Sequence, residues 1–368
     1  MLRISISLLF CTLLIIPAAT AQEKPLKVGV AGLTHTHVHW ILGRENIGDI
    51  EIVGIAEPNR ELAQRYADQH GFSMDLVYDS LEEMITATQP EAVTAFGPIY
   101  EHLEVVQTCA PKGIHVMVEK PLAVNMDHAK QMKALAEKHN VHLLTNYETT
   151  WYPSNHEAKK LLEADKIGDL RKVIVRDGHR GPVKIGVNQE FLDWLQDPVQ
   201  NGGGAITDFG CYGANMMTWL KKGKKPNTVT AITQQFQPEN NPKVDDEATI
   251  ILEYDDCQAI VQASWNWPIG RKDMELYGLT GAIYADNRNT LRVRMVEGYD
   301  GFQEDKLILE ERPSPHNDPF SLLAAVVRGK IVLEPTDLSA LENNMTVMEI
   351  LDAARKSAQK GKTIRLKK

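Results

Sequence analysis

Lys27-Val28-Gly29-Val30-Ala31-Gly32-Leu33-Thr34-His35-Thr36-His37-Val38-His39 opens on a short β-branched and apolar run, reaches a glycine, and passes into a helical stretch. A second apolar run, Ile50 to Ala56, follows it. This is a strand-helix-strand opening. It continues with a helix from about Arg60 to His70, a run Ala92 to Phe96, a helix from about Glu101 to Ala110 and a run His115 to Val118. Strands that alternate with helices of this length need crossover connections, which implies a parallel sheet. From Lys172 onward the strands come close together, at Thr228 to Gln235, Ala248 to Tyr254 and Gln258 to Trp265, with Asp255-Asp256 as a hairpin turn. The predicted fold is an α/β domain over 22–150, followed over 151–335 by an α+β domain with a large, mostly antiparallel open sheet. A last helix, about Asp337 to Lys360, carries Leu338, Leu341, Met345, Met348, Ile350 and Leu351 and ends near Gly361, so residues 336–368 are expected to pack back on the core.

Where the first strand meets the first helix, Gly32 fits the tight-turn glycine of a dinucleotide fingerprint. Thr34 and His37 stand at the positions of its other two glycines. A Thr hydroxyl and the free N–H groups of a helix start can still hold a phosphate. Glu57 closes the second strand 25 residues after Gly32, where a carboxylate accepts hydrogen bonds from a ribose diol and repels a 2′-phosphate. Residues 22–150 therefore read as a Rossmann domain. The expected cofactor is NAD, tightly bound, with Arg60 leaving NADP open.

His35, His37 and His39 alternate, which raises the question of an imidazole metal site. Residues two apart on a helix point in nearly opposite directions, and this segment is expected to turn helical. No metal site is assigned. Lining the pocket, capping the helix, or contacting a cofactor phosphate or substrate hydroxyl is the expectation for His35 and His37.

At the N-terminus, Arg3 precedes an apolar run from Leu8 to Pro17 and then the small residues Ala18-Ala19-Thr20-Ala21. The run is too short to span a bilayer, and the pattern predicts a signal peptide over 1–21, cleaved before Gln22, and an exported, periplasmic protein. About 350 residues then remain, more than one core usually organises. The formal charge of −9 becomes −10 without Arg3 and is scattered along the chain, which argues against nucleic acid as a partner and for a neutral or small substrate. Cys109, Cys211 and Cys257 are too few and too odd in number for a disulfide framework, so buried thiols are expected.

Gly113-Ile114-His115-Val116-Met117-Val118-Glu119-Lys120-Pro121-Leu122-Ala123 closely resembles the Glu-Lys-Pro signature of the Gfo/Idh/MocA family, named for glucose-fructose oxidoreductase and inositol dehydrogenase. The resemblance implies that Lys120 reaches from a strand end into the active site and that Glu119 and Pro121 lie beside a nicotinamide. A cation there can hold a substrate hydroxyl or stabilise an alkoxide. Gly202-Gly203-Gly204-Ala205-Ile206-Thr207-Asp208-Phe209-Gly210-Cys211-Tyr212-Gly213-Ala214-Asn215 is similar to the Gly-rich entry to the family's substrate helix. There the family usually has Asp and, four residues on, His; this chain keeps Asp208 and has Tyr212 in the His position. An unperturbed phenol suits proton abstraction at neutral pH less well than an imidazole. Tyr212 could work through Lys120, whose charge would favour the phenolate, or could only bind substrate.

Smaller matches extend over most of the chain. Pro98 and His102 fall where the family has a Pro-Asn-x-x-His turn, with Ile99 for Asn, and are expected on the cofactor side of the cleft. Asn146-Tyr147 ends a strand that lines the cleft in the family. His179, Arg180, Trp265-Asn266-Trp267 and His316 are candidate substrate contacts, with Trp267 and Tyr147 assigned to substrate, although two Trp on a strand are more often sheet packing.

The resulting expectation is an NAD(P)-dependent oxidoreductase that moves a hydride from a sugar or glycoside hydroxyl, with Lys120 positioning, Tyr212 as acid/base and Asp208 as orienter. A glycoside-cleaving enzyme that retains NAD and oxidises the sugar transiently is one alternative, and it suits an exported protein with no cofactor pool. A cofactor-free carbohydrate binder or a metal-dependent descendant of the fold is another. The resemblance also implies a homo-oligomer formed through the C-terminal sheet.

Overall fold

A computed structural model describes residues 24–367 of the chain, and the signal peptide expected over 1–21 lies outside the described residues. The opening run forms β1 (Leu26–Ala31), with Leu26, Val28 and Val30 fully buried at the centre of the first sheet. Around it stand β2 (Ile50–Ala56), β3 (Val77–Tyr78), β4 (Ala92–Ala95), β5 (His115–Glu119) and β6 (Leu143–Asn146), all parallel, in the order β3-β2-β1-β4-β5-β6. The order reverses at β1, so the crevice outside the carboxyl ends of β1 and β4 is the ligand position such a sheet provides.

The second sheet is built from β7 (Lys172–Gly178), β8 (Thr228–Gln234), β9 (Glu247–Glu253), β10 (Gln258–Ser264), β11 (Arg271–Tyr277), β12 (Gly281–Ala285), β13 (Thr290–Glu297), β14 (Gly301–Ile308) and β15 (Ile364–Arg365). Their order is β14-β13-β12-β11-β7-β10-β9-β8-β15, antiparallel except where β10 runs parallel to β7. Residues Asp255-Asp256 sit at the tip of the β9–β10 hairpin, closed by Tyr254 N–H on Cys257 O at 2.9 Å. The hairpin β13–β14 was not anticipated. Every residue of β14 is exposed, so it lacks the alternation of apolar and polar side chains that marks a half-buried strand.

The helix Gly210–Leu220 is buried at every position, as befits a helix apolar all round. It lies between the second sheet and the C-terminal helix. A Cβ on Gly213 would come within 2.3 Å of Val261 on β10, so glycine there lets the helix seat against the sheet and fixes the height of Tyr212 above it. The C-terminal helix spans Leu341–Lys360 and stops at Gly361 in the left-handed conformation. It starts four residues later than the apolar pattern suggested, because Asp337 is used in a turn that accepts Glu334 N–H at 2.8 Å. This helix packs on Gly210–Leu220, on β8 and on the helix Met126–His139 of the first domain. Cys109, Cys211 and Cys257 are buried free thiols.

Candidate active site

Two regions meet at the carboxyl end of the parallel sheet. The first is a cleft of about 500 Å³ lined by Gly32, Thr34, Glu57, Pro58, Asp79, Pro98, Glu101, His102 and Trp194, among others. Gly32 has φ +77°, and a Cβ there would stand 2.8 Å from Gly97 N. Glycine is thus required both by the turn and by the close approach of the β4 loop. Glu57 is buried, and its carboxylate accepts the backbone N–H of Leu33 at 2.9 Å and of Asn59 at 2.8 Å. Burial raises its pKa against those two bonds. Two lone pairs per oxygen leave it able to accept from a diol as well. Thr34 Oγ1 accepts from Trp194 Nε1 at 3.0 Å. His102 is buried, donates Nδ1–H to Leu122 O at 3.1 Å, and is pushed by burial down to about 4. The cleft fits a dinucleotide: a glycine turn, an acidic end to β2, and about 500 Å³ of space between them and the loop after β4.

The second region is a cluster around Lys120, which follows β5 directly; the Lys120–Pro121 peptide is cis. Lys120 Nζ pairs with Asp208 Oδ1 and donates to Asp208 O at 3.1 Å. Burial works to lower the Lys120 pKa, but the Asp208 carboxylate overrides it and raises it; Asp208, which burial would raise, is held low by Lys120. The remaining oxygen, Asp208 Oδ2, accepts Trp265 Nε1 at 2.9 Å. Tyr212 lies under Lys120, with Nζ 5.4 Å from its ring centroid, and Tyr147 packs edge-on against it at 5.4 Å. Lys272 Nζ, from β11, is 4.8 Å from the same centroid and pairs with Glu148.

The phenolate reading of Tyr212 does not survive. Burial first, and the neighbouring Asp177 and Glu148 carboxyl groups after it, raises the Tyr212 pKa well above its ordinary value, so the group is a neutral phenol. Desolvation costs the anion more than the two ammonium groups return.

The histidine pattern also departs from expectation. The helix begins only at Val38, so His35 and His37 precede it in a turn, and their ligand atoms lie with one from Glu119 within 4.8 Å of one another. His35 Nδ1 accepts His37 N–H at 3.0 Å, and His37 Nδ1 donates to Glu119 Oε2 at 2.9 Å. A neutral imidazole has one nitrogen lone pair, so His35 has none left for a metal in this arrangement. Against burial, His37 holds Glu119 down to about 2, and Asn146 donates to its other oxygen at 2.7 Å. His39 turns away to His70, 2.8 Å distant.

Other assignments divide. His179 packs edge-on against Phe209 at 4.9 Å, next to the cluster. Arg180 is exposed and makes no ion pair among the described residues. Trp267 lies over Gly178 and beside Arg271, so Trp265 is the tryptophan that reaches the charged cluster. Trp265, the first residue past the end of β10, is fully buried, whereas Trp267 is only half-buried. His316 lines a separate pocket with His156 and Arg312. Lys272 and Asp177 were missed. Their signal was present: Val173, Val175, Asp177 and Lys272, Met274, Leu276 are alternating series that are apolar except for one charged member each, at the end nearest the site.

A cleft over a parallel sheet, with a lysine–aspartate pair where a mostly antiparallel sheet docks, is the architecture of a two-domain protein whose first domain is of the dinucleotide-binding kind. Residues 26–147 match the oxidoreductase family's NAD-binding Rossmann fold, and residues 155–284 match the GFO/IDH/MocA C-terminal domain. The chain belongs to the Gfo/Idh/MocA family. It is 33% identical over 211 residues to the trans-1,2-dihydrobenzene-1,2-diol dehydrogenase of Xenopus laevis, covering 56% of this chain and 58% of that one. The chain thus spans less than two thirds of the length of the dihydrodiol dehydrogenases it resembles. A scyllo-inositol 2-dehydrogenase (NADP(+)) of Bacillus subtilis (strain 168) is 24% identical, covering 86% of this chain and 94% of that protein. Among solved structures, the aldose-aldose oxidoreductase of Caulobacter crescentus superposes with a TM-score of 0.76 at 20% identity, over 93% of this chain and all of that one.

Proposed function

We propose that the protein oxidises a secondary alcohol of a sugar or polyol, or reduces the matching ketone, with a nicotinamide dinucleotide held in the cleft. The observation that carries this is the Lys120–Asp208–Trp265 chain, which presents a buried ammonium at the end of β5 with Tyr212 beneath it. A bound nicotinamide would supply the hydride acceptor. Lys120 orients the substrate oxygen and stabilises its developing charge, Asp208 and Trp265 hold Lys120 in place, and Tyr212 exchanges the hydroxyl proton. Glu57 favours NAD over its 2′-phosphorylated form.

Retention of the cofactor is part of the proposal. The helix Gln189–Leu195 lies over the cleft and is tied across it by Arg65–Glu190 at 2.8 Å, Asn188–Tyr66 at 3.2 Å and Trp194–Thr34 at 3.0 Å. Those ties favour a slowly released dinucleotide, which suits the export also proposed here. The exposed Val296, Phe302 and Ile308 on β13 and β14 support association of copies through the second sheet.

The test is to denature the purified protein, filter it, and examine the small molecules released, then to assay polyols and sugars with added NAD and NADP. Near-stoichiometric NAD with alcohol-dependent turnover supports the reading. No nucleotide, and no binding of either dinucleotide, overturns it.

A further inference from the structure

Asp177, the penultimate residue of β7, stands directly opposite Lys272 of β11 in the antiparallel register, so both side chains project from the same face of the sheet. That face looks toward Tyr212. Asp177 is buried, and neither carboxylate oxygen has a hydrogen-bond partner. Thr149 Oγ1 is buried and unpartnered as well. Asp177, Thr149, Tyr212 and Lys272 line one small chamber of about 10 Å³, which is room for one water. A chamber of that size ringed by orphaned polar atoms is a place where water is held.

We propose that Asp177 is the proton store of the site, exchanging a proton with Tyr212 through a water held in this chamber. The inference rests on the alcohol-oxidising reading above and extends it by one group. As the substrate hydroxyl is oxidised, its proton passes to the Tyr212 oxygen, the Tyr212 proton passes to the water, and a water proton passes to the Asp177 carboxylate. Tyr212 and the water end unchanged, and Asp177 ends as a neutral acid. A bound nicotinamide would take the hydride, which carries the electron pair of the broken C–H bond. In reduction the proton returns by the same steps. This answers the difficulty posed by Tyr212: a phenol too weakly acidic to ionise can still relay a proton if it gives one up as it takes one.

The surroundings of Asp177 suit a stored proton. The charged and titratable groups around it are Lys272 from β11, Glu148 after β6, Lys120 after β5, and Asp208, together with Tyr212, Cys211 and Tyr152. Lys272 is shared with Glu148 and Lys120 with Asp208, so neither lysine is dedicated to Asp177. Burial raises its pKa well above the usual carboxylate range, against the pull of Lys272 and Lys120, which suits a carboxyl that takes up and returns a proton. Oxidation draws on its ionised form, and reduction on its protonated form.

The experiment compares wild type with Asp177→Asn and Thr149→Val, both near-isosteric, by infrared spectroscopy at neutral pH and by steady-state turnover of a polyol across a pH series. The expected result is a protonated-carboxylic-acid C=O band that disappears in Asp177→Asn and persists in Thr149→Val. Turnover should fall by about ten-fold or more in both, with the pH dependence of oxidation flattened in Asp177→Asn. A band that survives in Asp177→Asn, or an unaltered rate and pH profile in that variant, overturns the proton store. A wild type that oxidises no alcohol at any pH overturns the parent reading of the site, and the relay with it, whatever the infrared band shows.

Discussion

Trp265 and Asp208, 57 residues apart in sequence, are joined by an indole N–H donated at 2.9 Å to the one carboxylate oxygen that Lys120 does not take. The carboxylate is thereby fixed in its plane, and Lys120 in its position. Trp265→Phe removes one donor while keeping most of the packing. We expect a loss of about 1–3 kcal/mol in stability from the buried lone pair left without a donor, and a larger fall in kcat than rise in KM. Thermal denaturation and steady-state kinetics on the same preparation check this. An unchanged kcat would reduce Trp265 to a packing residue.

Lys120→Met leaves Asp208 buried without its cation. Breaking a buried pair from one side costs about 3–5 kcal/mol, so the single variant should be strongly destabilised as well as inactive. The double variant Lys120→Met/Asp208→Asn removes the stranded charge and should recover much of that stability but no activity. Chemical denaturation of the three proteins, with turnover measured in parallel, separates the structural from the chemical role of Lys120.

Gly32→Ala places a Cβ 2.8 Å from Gly97 N at a residue with φ +77°. Neither strain can relax without moving the loop after β4, so dinucleotide binding should fall by ten-fold or more while the second domain stays folded. Gly97→Ala meets only the end of the Glu101 side chain, Oε2 at 2.8 Å, and should bind dinucleotide more nearly as wild type does. Titration calorimetry with NAD distinguishes the two.

His102 sets an acid limit on stability. Its folded pKa is lowered from 6.5 to about 4 by burial, so between those values the unfolded chain binds more protons than the folded one. Its contribution is intact above about pH 6.5 and is lost as pH falls toward 4, by on the order of 3 kcal/mol in all. Replacing it with Asn, which keeps a donor for Leu122 O, should make the melting temperature less sensitive to pH in that window. An equally steep decline in the variant would assign the acid limit to other groups.

Tyr212→Phe keeps the ring that packs against Tyr147 and removes the hydroxyl. The expected outcome is a rate of hydride transfer reduced far more than substrate affinity, read by single-turnover reduction of NAD. An unaltered rate would leave Tyr212 as part of the packing.

Much of the molecule was legible in one dimension. β1, β2, β4 and β5 and the helix Arg60–His70 lie within a residue or so of their apolar runs, because a strand buried on both faces must be apolar at nearly every position. Gly32 and Glu57 were singled out by their distance from strand ends, and Lys120 and Asp208 by the resemblance of their segments to the family's signatures. What sequence could not supply was the partner of each group. His35 and His37 converge because a turn, and not a helix, carries them. Trp265 rather than Trp267 meets Asp208 because, just past the end of β10, its indole turns into the cluster while that of Trp267 lies over Gly178. Asp177 and Lys272 face each other because β7 and β11, about 95 residues apart, pair in one register. Local sequence determines periodicity, turns and strand ends through short-range sterics and burial; which charges share a buried space, and so which of them keep or lose their protons, is decided only when distant strands pair and exclude water between them.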